Sequence, residues 1–190
     1  RAVYFISGIG TGVGKTIISA IITEAVEVVY WNPVQAGFED GTDAGLIGKL
    51  ITNPTNRIHQ EVYKLKMPAS PHIAAREEGL NISLEKIKSE YEKLCSFSDH
   101  PLIIEGAGGL LVPLNETQTN LDLITLLNVP VILVSRNYLG SINHSLLTAQ
   151  ILKQAGTRVM GWIFNDHFMH YEKEIAAWTK LRILGSVTFQ

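Results

Sequence analysis

Apolar positions along this chain fall into short unbroken runs rich in β-branched residues, at Val3 to Ile6, Pro101 to Ile104, Val129 to Val134, Val159 to Phe164 and Ile183 to Val187. Runs of this length and composition predict strands buried on both faces, as in a parallel sheet. Between them the period changes. Ile17 to Val28, Ile142 to Gln154 and Glu172 to Leu181 carry apolar residues at helical spacing. Leu84, Ile87, Tyr91 and Leu94 do the same behind Ser83, a residue suited to capping a helix. Strand alternating with helix predicts right-handed βαβ crossovers and a three-layer α/β/α architecture with a mostly parallel central sheet. No repeat, low-complexity tract or linker interrupts the pattern, so residues 1–190 are expected to form one domain.

Composition narrows the function classes. Hydrophobic residues make up 46% of the chain and charged residues 18%, below the roughly 25% charged of ordinary globular proteins, which fits a well-buried fold. Sixteen Lys and Arg against eighteen Asp and Glu give a formal charge of -2. With no run of like charge, a nucleic-acid or membrane-surface partner finds no electrostatic footprint. The single cysteine, Cys95, excludes an intramolecular disulfide framework and a Cys-rich metal site, and suits a reducing compartment. No stretch reaches the ~18 apolar residues of a membrane span, and no basic segment precedes an apolar one as in a secretory signal, so a cytoplasmic protein is expected. The chain opens at Arg1 and stops at Gln190 directly after an apolar run; both ends are expected to have been trimmed.

Candidate chemistry concentrates first between Val3 and Val28. The strand VYFI leads into GIGTGVGKT, Gly8 to Thr16, and then into a helical run. Glycines let the backbone curl with its N–H groups inward, the helix start adds positive dipole, and Lys15 neutralises outer phosphates. The strict nucleotide-loop spacing fails by one residue, because Ile9 stands five positions before Gly14 with glycines on both sides. A variant P-loop, and with it the P-loop NTPase fold, is the better reading than a glycine-rich turn with an incidental Lys-Thr pair. Thr16 would then offer its hydroxyl to Mg²⁺, which needs carboxylate oxygens and water to complete its shell.

Two further stretches offer such oxygens. Glu105 follows the apolar run LII in IIEGAGG and is expected just beyond the strand, at the carboxyl edge of the sheet where open α/β sheets bind ligands. Gly106, Gly108 and Gly109 favour close backbone approach to a ligand there. Asp43, in EDGTDAGLI, reads alone as the N-cap of a helix from Ala44 to Ile51, and spacing does not choose between it and Asp40 as a second acid. The helix starting near Gly140, Ser141 and Asn143 offers free N–H groups to an anion such as a carboxylate. His144 and His72 are expected to be structural, and His100, His167 and His170 show no metal-ligand spacing.

Taken in order, GIGTGVGKT, NPVQAG, TDAG, SPHIAA, EGAGGLLVPL, GSINHSLLTAQ and GWIFND resemble the motifs of the dethiobiotin synthetase family over nearly the whole chain, Val3 to about Gly185. The resemblance implies an ATP- and Mg²⁺-dependent carboligase acting on 7,8-diaminononanoate and CO₂ by way of a carbamate and a carbamic-phosphoric anhydride. It implies that Gly12, Val13, Gly14, Lys15, Thr16 and Ile17 hold the triphosphate, with Lys15 also stabilising the transferring phosphoryl group. Thr16, Asp43 and Glu105 would bind Mg²⁺, which selects Asp43 over Asp40. Gly106, Ala107 and Gly108 would lie along the phosphates and carbamate, Asn165 and Asp166 would meet the adenine, and Ala36 and Gly108 would face the substrate. Family members are homodimers, in which Gly140, Ser141 and Asn143 receive the carboxylate tail of a substrate bound to the partner. Ser70 and His72 belong to a family motif near the substrate and are given no chemical role.

Three departures accompany the resemblance. Asn32 occupies the position of the lysine in the family's K-P-V-x-x-G motif, and loss of a cation beside a developing anion is expected to lower the rate by about 10² to 10³. Gly12 stands where the family often has an acid, and Thr188, Phe189 and Gln190 stand where it usually has a proline leading a nucleotide-side loop. The alternatives are a P-loop ATPase switch, or a nucleotide-binding protein without carboligase activity. An amidotransferase is disfavoured, since it would need a catalytic cysteine in a further domain.

Overall fold

In the computed structural model, which describes residues 1–52, 57–166 and 168–188, seven parallel strands form one sheet with helices on both faces. The strands are β1 (Val3–Gly8), β2 (Val29–Trp31), β4 (Ile58–His59), β6 (Leu102–Gly109), β7 (Val131–Arg136), β8 (Val159–Asn165) and β9 (Ile183–Val187), in the spatial order β4-β2-β6-β1-β7-β8-β9. A second, two-stranded parallel sheet joins β3 (Val34–Ala36) to β5 (Tyr63–Leu65). The helices are α1 (Lys15–Val26), α2 (Asp43–Leu50), α3 (Pro71–Glu77), α4 (Leu84–Phe97), α5 (Asn120–Leu127), α6 (Ser141–Gln154) and α7 (Glu172–Thr179).

Alternation of side chains along each strand divides the core in two. Ile6, Tyr30, Ile103, Ile132 and Val134 point to the face covered by α1 and α2, where they meet Ile18 and Ile47. Phe5, Trp31, Ile104, Leu133, Trp162 and Phe164 point to the other, where α3 to α7 supply Ala74, Ile87, Leu123, Leu152 and Ile175. Each central strand is therefore apolar on both sides, which is why its sequence runs without polar interruption.

Several local expectations are corrected. Strand β6 runs on through Gly109, so Glu105 lies within the strand and is 1% exposed. Thr42, not Asp43, caps α2: its Oγ1 accepts from Gly45 N at 3.0 Å, and Asp43 is the first helical residue. Strand β9 is an edge strand whose Ile183 and Leu184 are exposed, so an apolar run there did not mean two buried faces. Ser83 does cap α4, accepting from Lys86 N at 3.2 Å. Of the earlier candidates, His167, Phe189 and Gln190 lie outside the described residues.

Candidate active site

The loop between β1 and α1 turns on two glycines in the left-handed region, Gly12 (φ 71°) and Gly14 (φ 94°). Gly14 also sits against the Asn165 amide at the end of β8, which fills the space a Cβ would need. The Asn165 Nδ2 donates to Val13 O at 3.2 Å, so β8 braces the loop from behind. Lys15 opens α1, buried, with its ammonium donating to Gly10 O at 3.1 Å. Burial lowers its pKa from the ordinary 10.5, and the charges of Glu105 and Asp43 oppose that shift.

Three hard oxygens converge beside the lysine. Thr16 Oγ1 lies 3.0 Å from Asp43 Oδ1 and 2.9 Å from Glu105 Oε1. A hydroxyl has one hydrogen, so it cannot donate to both carboxylates at once. The contacts are satisfied together when Glu105 carries a proton, or when a cation takes the hydrogen's place among the three oxygens. The Glu105 pKa fits the first state. Burial first, then the charge of Asp43, raise it from 4.5 to about 7 against the lowering effects of Thr16, Ser19 and Lys15. Ser19 lies against this carboxyl from the next turn of α1, yet its buried Oγ makes no hydrogen bond of good geometry.

A hydroxyl, two carboxylates and room for phosphate and water suit Mg²⁺, which keeps waters and rarely takes an all-protein cage. Among the described residues no cluster of three or more His, Cys, Asp or Glu side chains offers a metal site of another kind.

Further groups hold these oxygens in place: Asn32, already marked by the sequence, and Gln35, Tyr30 and Asn120, which it did not single out. Asn32 Nδ2 donates to Asp43 Oδ2 at 3.0 Å, and its own Oδ1 accepts from Val34 N at 3.1 Å. Gln35 Oε1 accepts from Asp43 N at 3.1 Å, fixing the start of α2 to β3. Tyr30 OH, from β2, donates to Glu105 Oε2 at 3.0 Å. Its phenol pKa is raised well above 10, by burial first and then by Glu105, so it remains a donor. Asn120, buried at the start of α5, donates to the carbonyls of Ala107 and Gly109 and shapes the end of β6.

One cleft of about 760 Å³ brings most of the candidates together. Gly12, Gly14, Lys15, Thr16 and Ile17 line it from the loop side. Asn32, Ala36 and Asp43 line a second wall, and Glu105, Gly106, Ala107 and Gly108 a third. Asp166 lies elsewhere, in a 370 Å³ cavity with Thr11, Gly12, Val13 and Asn137, where its carboxylate stands 3.6 Å from Arg136. Asn165 is buried behind the loop. Gly140, Ser141 and Asn143 do not reach the cleft within one chain. Asn143 lines a separate 780 Å³ cavity between α6 and α7, and Ser141 is fully buried, its Oγ accepting from Tyr138 N at 3.2 Å. His144 pairs with Tyr138 OH at 2.7 Å and His72 with Ser70 at 3.0 Å, and among the described residues no acid hydrogen-bonds to either ring.

A parallel sheet whose first strand ends in this glycine loop, with lysine and hydroxyl at the start of the next helix, defines a P-loop nucleotide-binding protein. Solved structures agree at the level of fold. A ParA family ATPase from Chlorobium tepidum matches all of this chain and 84% of its own at TM-score 0.61 and 13% identity. The septum site-determining protein MinD of Pyrococcus horikoshii, complexed with Mg-ADP, matches 99% and 81% at TM-score 0.58 and 15% identity.

Sequence relatives are more specific. A family model described as an AAA domain matches residues 2–190. The ATP-dependent dethiobiotin synthetase BioD of Cytophaga hutchinsonii is 52% identical over 162 residues, covering 85% of this chain and 76% of its own length. The protein of the same name from Christiangramia forsetii is 43% identical over 186 residues, covering 97% and 86%. The chain belongs to the ATP-dependent dethiobiotin synthetase family.

Proposed function

We propose that this chain closes the cyclic urea of dethiobiotin from 7,8-diaminononanoate, CO₂ and ATP, at a rate attenuated by Asn32. The observation that carries the reading is the convergence of Lys15, Thr16, Asp43 and Glu105 on one cleft at the carboxyl edge of the sheet, in a chain 40–52% identical to named dethiobiotin synthetases. One substrate amine takes up CO₂ as a carbamate. A carbamate oxygen attacks the γ-phosphorus of ATP and expels ADP, and the second amine attacks the carbonyl carbon of the anhydride and expels phosphate.

This chemistry asks for positioning and charge more than for acids and bases. The N–H groups of Gly12 to Ile17 hold the triphosphate, and Lys15 leaves Gly10 O to meet the transferring phosphoryl group. Thr16, Asp43 and Glu105 would hold Mg²⁺, which when bound would supply positive charge to the phosphate oxygens. Gly106 to Gly108 present backbone to the carbamate, and Ala36 and Gly108 face the diamine. Asn165 and Asp166 bound the nucleoside side. Gly140 and Asn143, exposed at the start of α6 above the buried Ser141, take the substrate's carboxylate from a second copy, which makes the working form a homodimer of single-domain subunits. The protein works in the cytoplasm; among the described residues no helix is long and apolar enough to cross a membrane.

The test is ATP-dependent incorporation of labelled bicarbonate into diaminononanoate, by this chain and by its Asn32→Lys variant. Slow incorporation by the first and faster incorporation by the second is the expected result. If both are inert while folded and ATP-bound, the substrate assignment fails.

A further inference from the structure

The two carboxylates that flank Thr16 are each tied down at the oxygen that faces away from it. Asp43 is held at Oδ2 by Asn32, and Glu105 at Oε2 by Tyr30. Tyr30 is fully buried among Ile6, Val28, Ile47 and Ile103, in a part of the core where a phenylalanine would fill the same space. Its hydroxyl has one partner in that apolar layer, and the partner is the carboxylate of the neighbouring strand.

We propose that Tyr30 is a positioning residue for the divalent cation that accompanies the nucleotide: its hydroxyl fixes the rotation of the Glu105 carboxylate so that Oε1 faces the cation site. The inference rests on the reading of the cleft as a nucleotide–Mg²⁺ site. Rotation about the last torsion of a glutamate is soft, and Asp43 repels the near oxygen of Glu105. An unanchored carboxylate would turn away from Thr16 and toward Ser19, whose buried Oγ lies against it without a good hydrogen bond. The Tyr30 bond holds it against that turn. Partners of this kind, one bond removed from the metal, typically change metal affinity by about 10- to 100-fold when removed.

The experiment titrates Mn²⁺ into the protein saturated with a non-hydrolysable ATP analogue and reads free Mn²⁺ by electron paramagnetic resonance. Parent, Tyr30→Phe, Glu105→Gln and the double variant are compared. Tyr30→Phe is expected to weaken Mn²⁺ binding about tenfold, with metal-free analogue affinity unchanged. In the Glu105→Gln background the same change should move Mn²⁺ affinity less than about twofold, because the group through which Tyr30 acts has been replaced. Mn²⁺ affinity within twofold of the parent in Tyr30→Phe overturns the proposal. So does a tenfold loss that persists in the Glu105→Gln background, or a Tyr30→Phe chain that fails to fold where Glu105→Gln folds, since the hydroxyl would then serve the fold. If the parent itself takes up no Mn²⁺ with the analogue, the nucleotide–Mg²⁺ reading falls and carries this inference with it.

Discussion

Replacing Glu105 with glutamine should remove a specific pH dependence from the stability of the ligand-free protein. The carboxyl titrates near 7 in the fold and near 4.5 in the open chain. Between those values the native state keeps a proton that the unfolded state releases, so stability falls as pH rises, and above pH 7 the dependence ends. At 1.36 kcal/mol per unit the contribution is about 3 kcal/mol in all, most of it lost between pH 5 and pH 8. Urea denaturation of the parent and of Glu105→Gln at intervals across that range isolates this group, because every other titration is common to both proteins. The difference in unfolding free energy should shift by that amount in favour of the glutamine variant as pH rises. Saturating Mg²⁺ and nucleotide should reverse the trend in the parent, since ligation takes the ionised carboxylate. A difference that stays flat from pH 5 to pH 8 refutes the account, and with it the assignment of a shared proton to Thr16 and Glu105.

Asn32→Lys should raise the rate of carboligation by about 10² or more, the scale of restoring one preorganised cationic donor, measured as labelled bicarbonate entering the diamine. Gly14→Ala should destabilise the chain by more than 1 kcal/mol and weaken ATP binding, because φ 94° is unfavourable for alanine and its Cβ would occupy the place of the Asn165 amide; denaturation midpoints and nucleotide titration read both effects. Asn120→Ala should cost about 1–3 kcal/mol in denaturation, since two carbonyls of the β6 end lose their buried donor.

The central sheet was legible where burial was symmetric. Strands β1, β6, β7 and β8 are covered on both faces, and their unbroken apolar runs follow from that. Three-residue strands such as β2 and β3, and the two-residue β4, are too short to show a period, and β9 shows an apolar run although it is an exposed edge. Helix α3 has only seven residues, and α5 is announced by a capping box with aspartate, Asp122, at the place where glutamate is the usual signal. In the cleft, the residues proposed for phosphate and cation carry motif spacing, and the structure gathers most of them along one set of walls. Tyr30, Gln35 and Asn120 act on those residues through contacts made by β2, β3 and α5, and no local pattern marks a side chain whose task is set by a strand or helix far away in sequence.

The amide at position 32 and the proton on Glu105 are two faces of one charge balance. The cleft gathers two carboxyls, Asp43 and Glu105, around one ammonium, and that ammonium rests on Gly10 O. Asn32 gives Asp43 a hydrogen bond without a positive charge. Desolvation and the Asp43 charge then outweigh Lys15, and Glu105 retains its proton to about pH 7. A lysine in place of Asn32 would add the missing cation beside Asp43, on the wall of the cleft that Asn32 lines. A nearby opposite charge lowers a carboxyl pKa by about 1–3 units. The stability transition assigned to Glu105 should therefore move to lower pH in Asn32→Lys by at least about one unit. Cation binding at neutral pH should release correspondingly fewer protons, which calorimetry in buffers of different ionisation enthalpy measures directly. An unshifted transition would separate the two effects, leaving Glu105 protonated by burial alone and the amide at 32 without influence on it.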